Sequence, residues 1–207
     1  MSQDKPIEGL AQAIARYGAP VERSLVYQVS EETFCYWERT RQKRVAEVVL
    51  LLRCSKGRYL VHTKSFYPQG SYRLLSGGIK MGEELLAAVR REALEETGME
   101  VRIERFLGIL CYRFVWGGRS VPFTSYLFGV AGDCEAVGSL DLSRPQASEE
   151  NISAYRQVSL EELGDIANAL EALPPDWIEW GRFRAAAHRL AIELLERPGG
   201  DRGKDGA

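Results

Sequence analysis

Apolar residues in this chain fall into short runs and alternations, separated by Gly, Pro and acidic turns, and each period predicts an element. The strongest run, Val48-Val49-Leu50-Leu51-Leu52, is far shorter than the roughly 20 residues a membrane span needs and reads as a buried strand within residues 45–54. A second strand, 58–63, follows across the turn Ser55-Lys56-Gly57. Upstream, residues 6–17 read as a short amphipathic helix closed by Gly18, with Leu10, Ala13 and Ile14 on one side. Residues 23–29 and 33–39 read as extended segments meeting at Ser30-Glu31-Glu32. Residues 72–75 form a short strand, and 101–115 and 121–130 form two more around Trp116-Gly117-Gly118, with another at 152–158. The C-terminal part is helical. Ser159 and Glu162 have the spacing of a capping box ahead of a helix to about Leu173. Pro174-Pro175 breaks it, and Asp176 and Glu179 have the same spacing ahead of a helix to about Leu195. Trp177, Trp180 and Phe183 on that last helix read as packing residues rather than a ligand cage. No internal repeat is visible.

The segment between the strands 72–75 and 101–115 has a different grammar. Ser76-Gly77-Gly78 and Met81-Gly82 are turn material, residues 83–97 are good helix formers without Pro or Gly, and Gly98 stands where a helix stops. On a helical wheel Leu86, Ala87, Val89, Ala93 and Leu94 share the side predicted to face a core, while Glu92, Glu95 and Glu96 fall within an arc of roughly 100°. Like charges at these spacings cost a helix a few tenths of a kcal/mol per pair. A solvated acidic face accounts for many such runs. Here the glutamates come with a Gly-rich turn and an Arg one helical turn from Glu95, and a hard divalent cation would turn their repulsion into a binding site.

Seven residues stand at fixed spacings in this segment: Gly77, Glu83, Arg91, Glu92, Glu95, Glu96 and Gly98, with Ala93 and Met99 in two apolar slots. The pattern G-x5-E-x7-R-E-U-x-E-E-x-G-U resembles the box of the Nudix hydrolases at every position. The resemblance implies an α/β fold, an α/β/α sandwich with a mixed central sheet, which the element order fits. It implies Mg²⁺ or Mn²⁺ held by Glu92, Glu95 and Glu96, with the backbone carbonyl of Gly77 joining them. Arg91 would orient the carboxylates by ion pairing, and Glu83 would steady the junction of loop and helix. The implied reaction is attack of water on a diphosphate joined to a further group, usually with a nucleoside on one side. Lys80 departs from the acidic residue common at its place, and Ser76 from the usual Pro or Gly, but neither is a fixed box position. Lys80 is either an exposed loop lysine or a phosphate contact.

The resemblance covers residues 45–163. Residues 1–44 and the helices of 164–196 lie outside it and are candidates for dimerisation or substrate closure; residues 197–207 are Gly-rich, charged and expected to be disordered. A chain of 207 residues suits one well-buried domain. A net charge of −2 with balanced signs gives no nucleic-acid footprint, so the expected partners are a small-molecule nucleoside diphosphate-type substrate and a second copy of the chain in a homodimer. Cys35, Cys54, Cys111 and Cys134 are scattered, without a C-x-x-C pair. Together with the polar start MSQDKP, that predicts four thiols in a reducing cytoplasm and no zinc site.

Substrate contacts are less constrained. Lys64 and Arg73, on strands leading to the box, are candidate phosphate contacts or solubilising charges. Phe66 and Tyr67 are candidates to stack on a base or to join the core. The cluster Arg39, Arg41, Lys43 and Arg44 is either a solvated turn or a polyphosphate contact. The proline that marks enzymes acting on ADP-ribose has no counterpart before Pro122, Tyr112 is not placed as in dinucleoside polyphosphate enzymes, and residues 120–125 only partly echo the NADH-pyrophosphatase signature. The general base is expected either in the box, as Glu92, or on the long polar stretch 132–150, as Glu149 or Glu150. A non-catalytic nucleotide-binding regulator would show an eroded box, and isopentenyl-diphosphate isomerase needs a His-containing context around Cys54 or Cys111; this sequence has neither feature.

Overall fold

The strongest apolar run becomes the central strand of the protein. In the computed structural model, which describes residues 7–44, 46–134 and 151–197, β2 (Ala46–Arg53) is buried along its whole length except Arg53. A strand apolar on both sides needs cover on both faces, and β2 has it. Val48, Leu50 and Leu52 enter one core, and Val49 and Leu51 enter the other.

Around β2 the described residues form α1 (Leu10–Tyr17), β1 (Val21–Gln28), α2 (Glu31–Lys43), β3 (Tyr59–Lys64), β4 (Arg73–Ile79), α3 (Leu85–Thr97), β5 (Arg102–Trp116), β6 (Arg119–Ala131), β7 (Ile152–Val158), α4 (Leu160–Glu171) and α5 (Pro175–Glu196). The strands make one seven-stranded sheet in the order β1-β5-β6-β2-β4-β3-β7. It is mixed: β1 runs parallel to β5 and β2 parallel to β6, and the other neighbours are antiparallel. One face packs on α1 and α3 and the other on α2, α4 and α5, which makes an α/β/α sandwich. Residues outside the box resemblance are built into these layers, with β1 paired to β5 and α1 in contact with α3.

Four expectations need correction. Residues 33–39 are helical, not extended. Their β-prone side chains obscured a helix start at Ser30, whose hydroxyl accepts from the Thr33 N–H (3.3 Å) ahead of Glu31 and Glu32. Phe34, Trp37 and Thr40 then recur at helical spacing on the buried side. On the last helix Asp176 is not the cap; the helix starts with Pro174 at the cap position and Pro175 at N1. Glu179 instead accepts from the N–H and the hydroxyl of Ser30, both at 2.8 Å, tying α5 to the start of α2. The capping box of Ser159 and Glu162 forms as expected. On α3, Ala87 and Leu94 are exposed, and the core side is Leu85, Leu86, Ala88, Val89 and Ala93.

The fourth correction concerns sulfur. Cys54 and Cys134 form a disulfide, while Cys35 and Cys111 are free. The two bonded cysteines are 80 residues apart. However, β2 and β6 run parallel and in register at Arg53 and Ala131, so the chain leaves both strands side by side. Four thiols are therefore not an argument for a reducing compartment. No described helix is long and apolar enough to cross a membrane.

Candidate active site

Residues 76–78 are not a turn. They extend β4 and pair with β2, Ser76 opposite Val49, Gly77 opposite Val48 and Gly78 opposite Glu47. Both glycines are needed for space. A Cβ on Gly77 would lie 1.8 Å from Oε2 of Glu92, and one on Gly78 would lie 2.3 Å from Cδ of Arg44. The missing side chains therefore let a carboxylate from α3 and a guanidinium from the end of α2 come down onto the strand.

Arg91 organises the face of α3. Its Nε donates to Glu83 (2.6 Å) and one terminal nitrogen to both Glu92 and Glu95 (2.7 Å each). The other reaches Glu83 (2.8 Å) and the carbonyl of Gly78 (2.9 Å). Glu83 also accepts from the Lys80 N–H at 2.9 Å, which closes the loop before the helix. The hydrogen bond from Arg91 holds the Glu83 carboxyl below its ordinary pKa. Glu92 is different. Burial, and next the charge of Glu96, push its pKa up to about 7 despite Arg91.

Glu96 is fully buried one turn further on. Its carboxylate accepts from the Ser76 N–H (2.9 Å) and from Arg73 (3.4 Å), with Lys64 at 3.8 Å and the ring of His62 at 3.6 Å. The hydroxyl of Tyr155 donates to its carbonyl. Burial, together with the charges of Arg73, Lys64 and Arg184, lowers the His62 pKa well below its ordinary value, so the ring is neutral. Arg73 donates to Tyr67 Oη (2.9 Å), Leu74 O (2.8 Å) and Ser76 Oγ (2.7 Å), and so braces the strand beneath the site.

A cleft of about 460 Å³ opens over this floor. Gly77, Gly78 and Glu92 line it together with the aromatic residues Tyr36, Phe66, Tyr67, Trp177 and Trp180. Trp177, Trp180 and Arg184 lie three and four residues apart and so share one face of α5. Arg184 donates to Glu47 (3.0 Å) and Ser76 (2.9 Å), and Glu47 is held in turn by the Ser125 hydroxyl (2.7 Å). His188, one turn on, accepts from the Leu74 N–H at 3.2 Å. These polar contacts fasten α5 across β4.

The structure brings Gly77, Arg91, Glu92, Glu95 and Glu96 together, with Lys64, Phe66 and Arg73 lining the same cleft or its floor. Glu149 and Glu150 lie outside the described residues. Lys80 is exposed, 4.0 Å from Glu95. Of the trio on the last helix, Phe183 is buried in the core, but Trp177 and Trp180 line the cleft. Arg44, one of the basic cluster offered as a polyphosphate contact, and Arg184 also line it, and of the two the sequence did not mark Arg184 as a site residue. The one available signal was the spacing of Trp177, Trp180 and Arg184.

Among the described residues, no three His, Cys, Asp or Glu side chains are arranged as they stand to hold a metal ion. Glu92 and Glu95 are held by Arg91, and Glu96 is turned to the Ser76 N–H. The donor chemistry still suits a hard cation. Three carboxylates share one helix beside a strand whose glycines leave room, and burial with the charge of Glu96 raises the Glu92 pKa, a repulsion that a cation would offset.

Solved structures similar to the chain include a MutT protein from Methanosarcina mazei Go1, at 23% identity and a TM-score of 0.44, over 73% of this chain and 95% of that one. A NUDIX hydrolase from Nitrosomonas europaea has 17% identity and a TM-score of 0.46, over 77% and 100%. A C. elegans Ap4A hydrolase in a binary complex has 16% and 0.40, over 73% and 97%. No match was found among curated proteins. The NUDIX domain family model matches residues 42–181. That span is more than half of the chain and contains the whole Gly77–Gly98 pattern, so the protein belongs to the NUDIX domain family.

Proposed function

We propose that this protein is a divalent-metal-dependent pyrophosphohydrolase acting on a nucleoside diphosphate linked to another moiety. The observation that carries the reading is Glu92: a buried carboxylate laid against Gly77, crowded by Glu96, in a cleft also lined by Arg44, Lys64, Arg73 and Arg184. Glu92, Glu95, Glu96 and the Gly77 carbonyl would hold Mg²⁺ or Mn²⁺. When bound, the ion would offset charge on the phosphoryl oxygens and acidify a bound water.

The chain's own residues do the rest of the positioning. Arg91 spans Glu92 and Glu95 and offsets their repulsion. Ser76 and Arg73 fix Glu96, and Lys64 and Arg44 give the cleft its positive charge. Glu92, whose Oε1 is engaged by Arg91, is the box residue we assign to take the proton of the attacking water at Oε2. Glu149 and Glu150 remain the rival bases. A homodimer belongs to the same reading; β1, at one edge of the sheet, pairs only with β5 among the described residues.

Incubation with a panel of nucleoside diphosphate compounds and Mg²⁺ or Mn²⁺ tests the activity. Release of nucleoside monophosphate or phosphate is expected, and metal-dependent binding without release across the panel would favour a regulator instead. Glu96→Gln should cut turnover by about 10²-fold or more, as loss of a charge contact to the metal does. Near-normal turnover of that variant at saturating Mg²⁺ would remove Glu96 from the metal site.

A further inference from the structure

The cleft lining combines a charged floor with a set of aromatic rings that has no carboxylate or carboxamide among it. Tyr67, Trp180 and Trp177 form a mutually packed cluster, with ring centroids 4.6 Å (Tyr67 to Trp180), 5.4 Å (Trp177 to Trp180) and 6.2 Å (Tyr67 to Trp177) apart. Their planes are tilted or crossed, so the rings fill each other's flanks and form a wall rather than a slot. Both tryptophans are only half-buried, and Phe66 beside them is 56% exposed. Large exposed aromatic area of this kind needs a reason in a protein that buries Trp37 and Phe183 completely enough to make its core.

The two phenolic oxygens among these rings accept from guanidiniums and keep only their O–H groups as donors. Tyr67 Oη accepts from Arg73 and Tyr36 Oη from Arg44. Among the described residues lining the cleft there is no Asp, Asn or Gln, and the one carboxylate, Glu92, is held by Arg91. Arg44 reaches over Gly78 and donates to the neutral Tyr36 hydroxyl at 3.3 Å. A guanidinium in that position suits a phosphate oxygen.

We infer that α5 makes this a stacking site that requires a planar base on its diphosphate substrate but does not distinguish one base from another. Trp177, Trp180 and Tyr67 carry the base on a π face, and Arg44 and Lys64 take the phosphates. Every nucleobase has a π face, so stacking is tolerant of base identity. Strong discrimination comes from buried groups that a wrong base leaves unpaired. The inference rests on the reading above that the cleft takes a diphosphate, and it adds which residues set selectivity and how broad that selectivity is.

The test uses the full chain in EDTA, so that binding is read without turnover. Adenosine, guanosine, cytidine and uridine 5′-diphosphates and inorganic pyrophosphate are titrated by calorimetry, with tryptophan emission followed in parallel. The four nucleotides should bind within about tenfold of one another, each about 10- to 100-fold tighter than pyrophosphate, and all should quench emission. Trp180→Leu should lose tenfold or more for all four and leave pyrophosphate unchanged, whereas Arg44→Ala should weaken all five. One nucleotide bound more than 100-fold tighter than the rest, pyrophosphate bound as tightly as the nucleotides, or no binding at all would overturn the inference. So would unchanged nucleotide affinity in both Trp180→Leu and Trp177→Leu; the wild-type titrations decide the matter if a variant fails to fold. Hydrolysis with Mg²⁺ is scored separately. Nucleotide binding as expected without hydrolysis sinks the hydrolase reading alone, and hydrolysis that is indifferent to the base's presence sinks this inference alone.

Discussion

Substituting Gly77 by Ala separates the chemistry of the site from its stability. Gly77 is extended in β4, not in a left-handed conformation, so alanine meets no backbone obstacle and gains up to about 1 kcal/mol from reduced unfolded-state entropy. What it meets is Glu92. The new Cβ would lie 1.8 Å from Oε2 and 1.9 Å from Cδ of that side chain, against the 3.4 Å at which ordinary contact begins. The carboxylate must retreat by roughly 1.5 Å. It sits at the far end of a side chain with three rotatable bonds, so it can move, at a cost comparable to one off-rotamer torsion, about 1 kcal/mol.

The two effects on stability nearly cancel, and the melting temperature of Gly77→Ala should stay within about 5 °C of wild type. Activity should not. A group displaced by more than 1 Å from its productive place costs about 10²-fold, close to 2.7 kcal/mol in the barrier. The assay is kcat and KM at saturating Mg²⁺ or Mn²⁺ beside a thermal melt of the same preparation. Gly78→Ala is the companion variant, because its Cβ would strike the stem of Arg44 instead, and its loss should appear mainly in KM. Wild-type kcat in a folded Gly77→Ala would refute the placement of Glu92 in the reaction. A collapse in melting temperature would show that the strand, not the carboxylate, needs the glycine.

Changing Glu149 and Glu150 separately to Gln should cost about 10²–10⁴-fold in kcat and remove the acidic limb of the pH profile for whichever is the base; wild-type turnover in both leaves the role to Glu92. Cys54→Ser should lower the stability read by urea unfolding by about 2–4 kcal/mol, because the bond closes a loop across 80 residues of sequence, and reductant should do the same to wild type but nothing to the variant. Burial, with the charges of Arg73 and Arg184, lowers His188 to about 4 from an ordinary 6.5. The unfolded chain therefore binds the proton first, and stability falls as pH drops from about 6.5 to 4, by up to roughly 3 kcal/mol. His188→Gln should flatten that limb of a urea-midpoint against pH plot, and an unchanged slope would count against the assignment.

Local chemistry was legible in the sequence wherever neighbours along the chain are also neighbours in space. The box glutamates share a helix, so their common face follows from 3.6 residues per turn, and Arg91 reaches Glu95 for the same reason. The Ser159 capping box is equally local. Residues 33–39 misled because Phe, Tyr and Trp side chains favour strands on average, yet Phe34 and Trp37 pack between the sheet and α5 only when wound into a helix. The Ser76-Gly77-Gly78 run misled because glycine usually signals a turn. Here it makes room for Glu92 and Arg44, a reason that exists only once α2 and α3 are placed. The disulfide was hidden in the same way, since nothing in the spacing of Cys54 and Cys134 says that parallel strands end together.

The same distinction divides the site itself. Groups assigned to the reaction come from one continuous segment, where a strand runs into a helix and geometry is fixed by hydrogen bonds within about 20 residues of sequence, as from Ser76 to Glu96. Of the groups assigned to substrate choice, Arg44 follows α2 and Trp177 and Trp180 lie on α5, more than 30 residues before and about 80 after that helix, and these reach the cleft only through tertiary contacts. Those contacts are specific: Glu179 caps α2, while Arg184 and His188 dock on Ser76, Glu47 and the Leu74 N–H. The Arg184 and His188 contacts use buried or part-buried polar groups that would be left unpaired if α5 shifted by a turn, at about 1–3 kcal/mol apiece. The helix is therefore held in one register against β4, and that register puts Trp177 and Trp180 beside Tyr67 at the mouth. On the proposed reading, exchanging those two rings should change what the cleft accepts, while the hydrogen bonds of Arg91 and Glu96 involve neither ring.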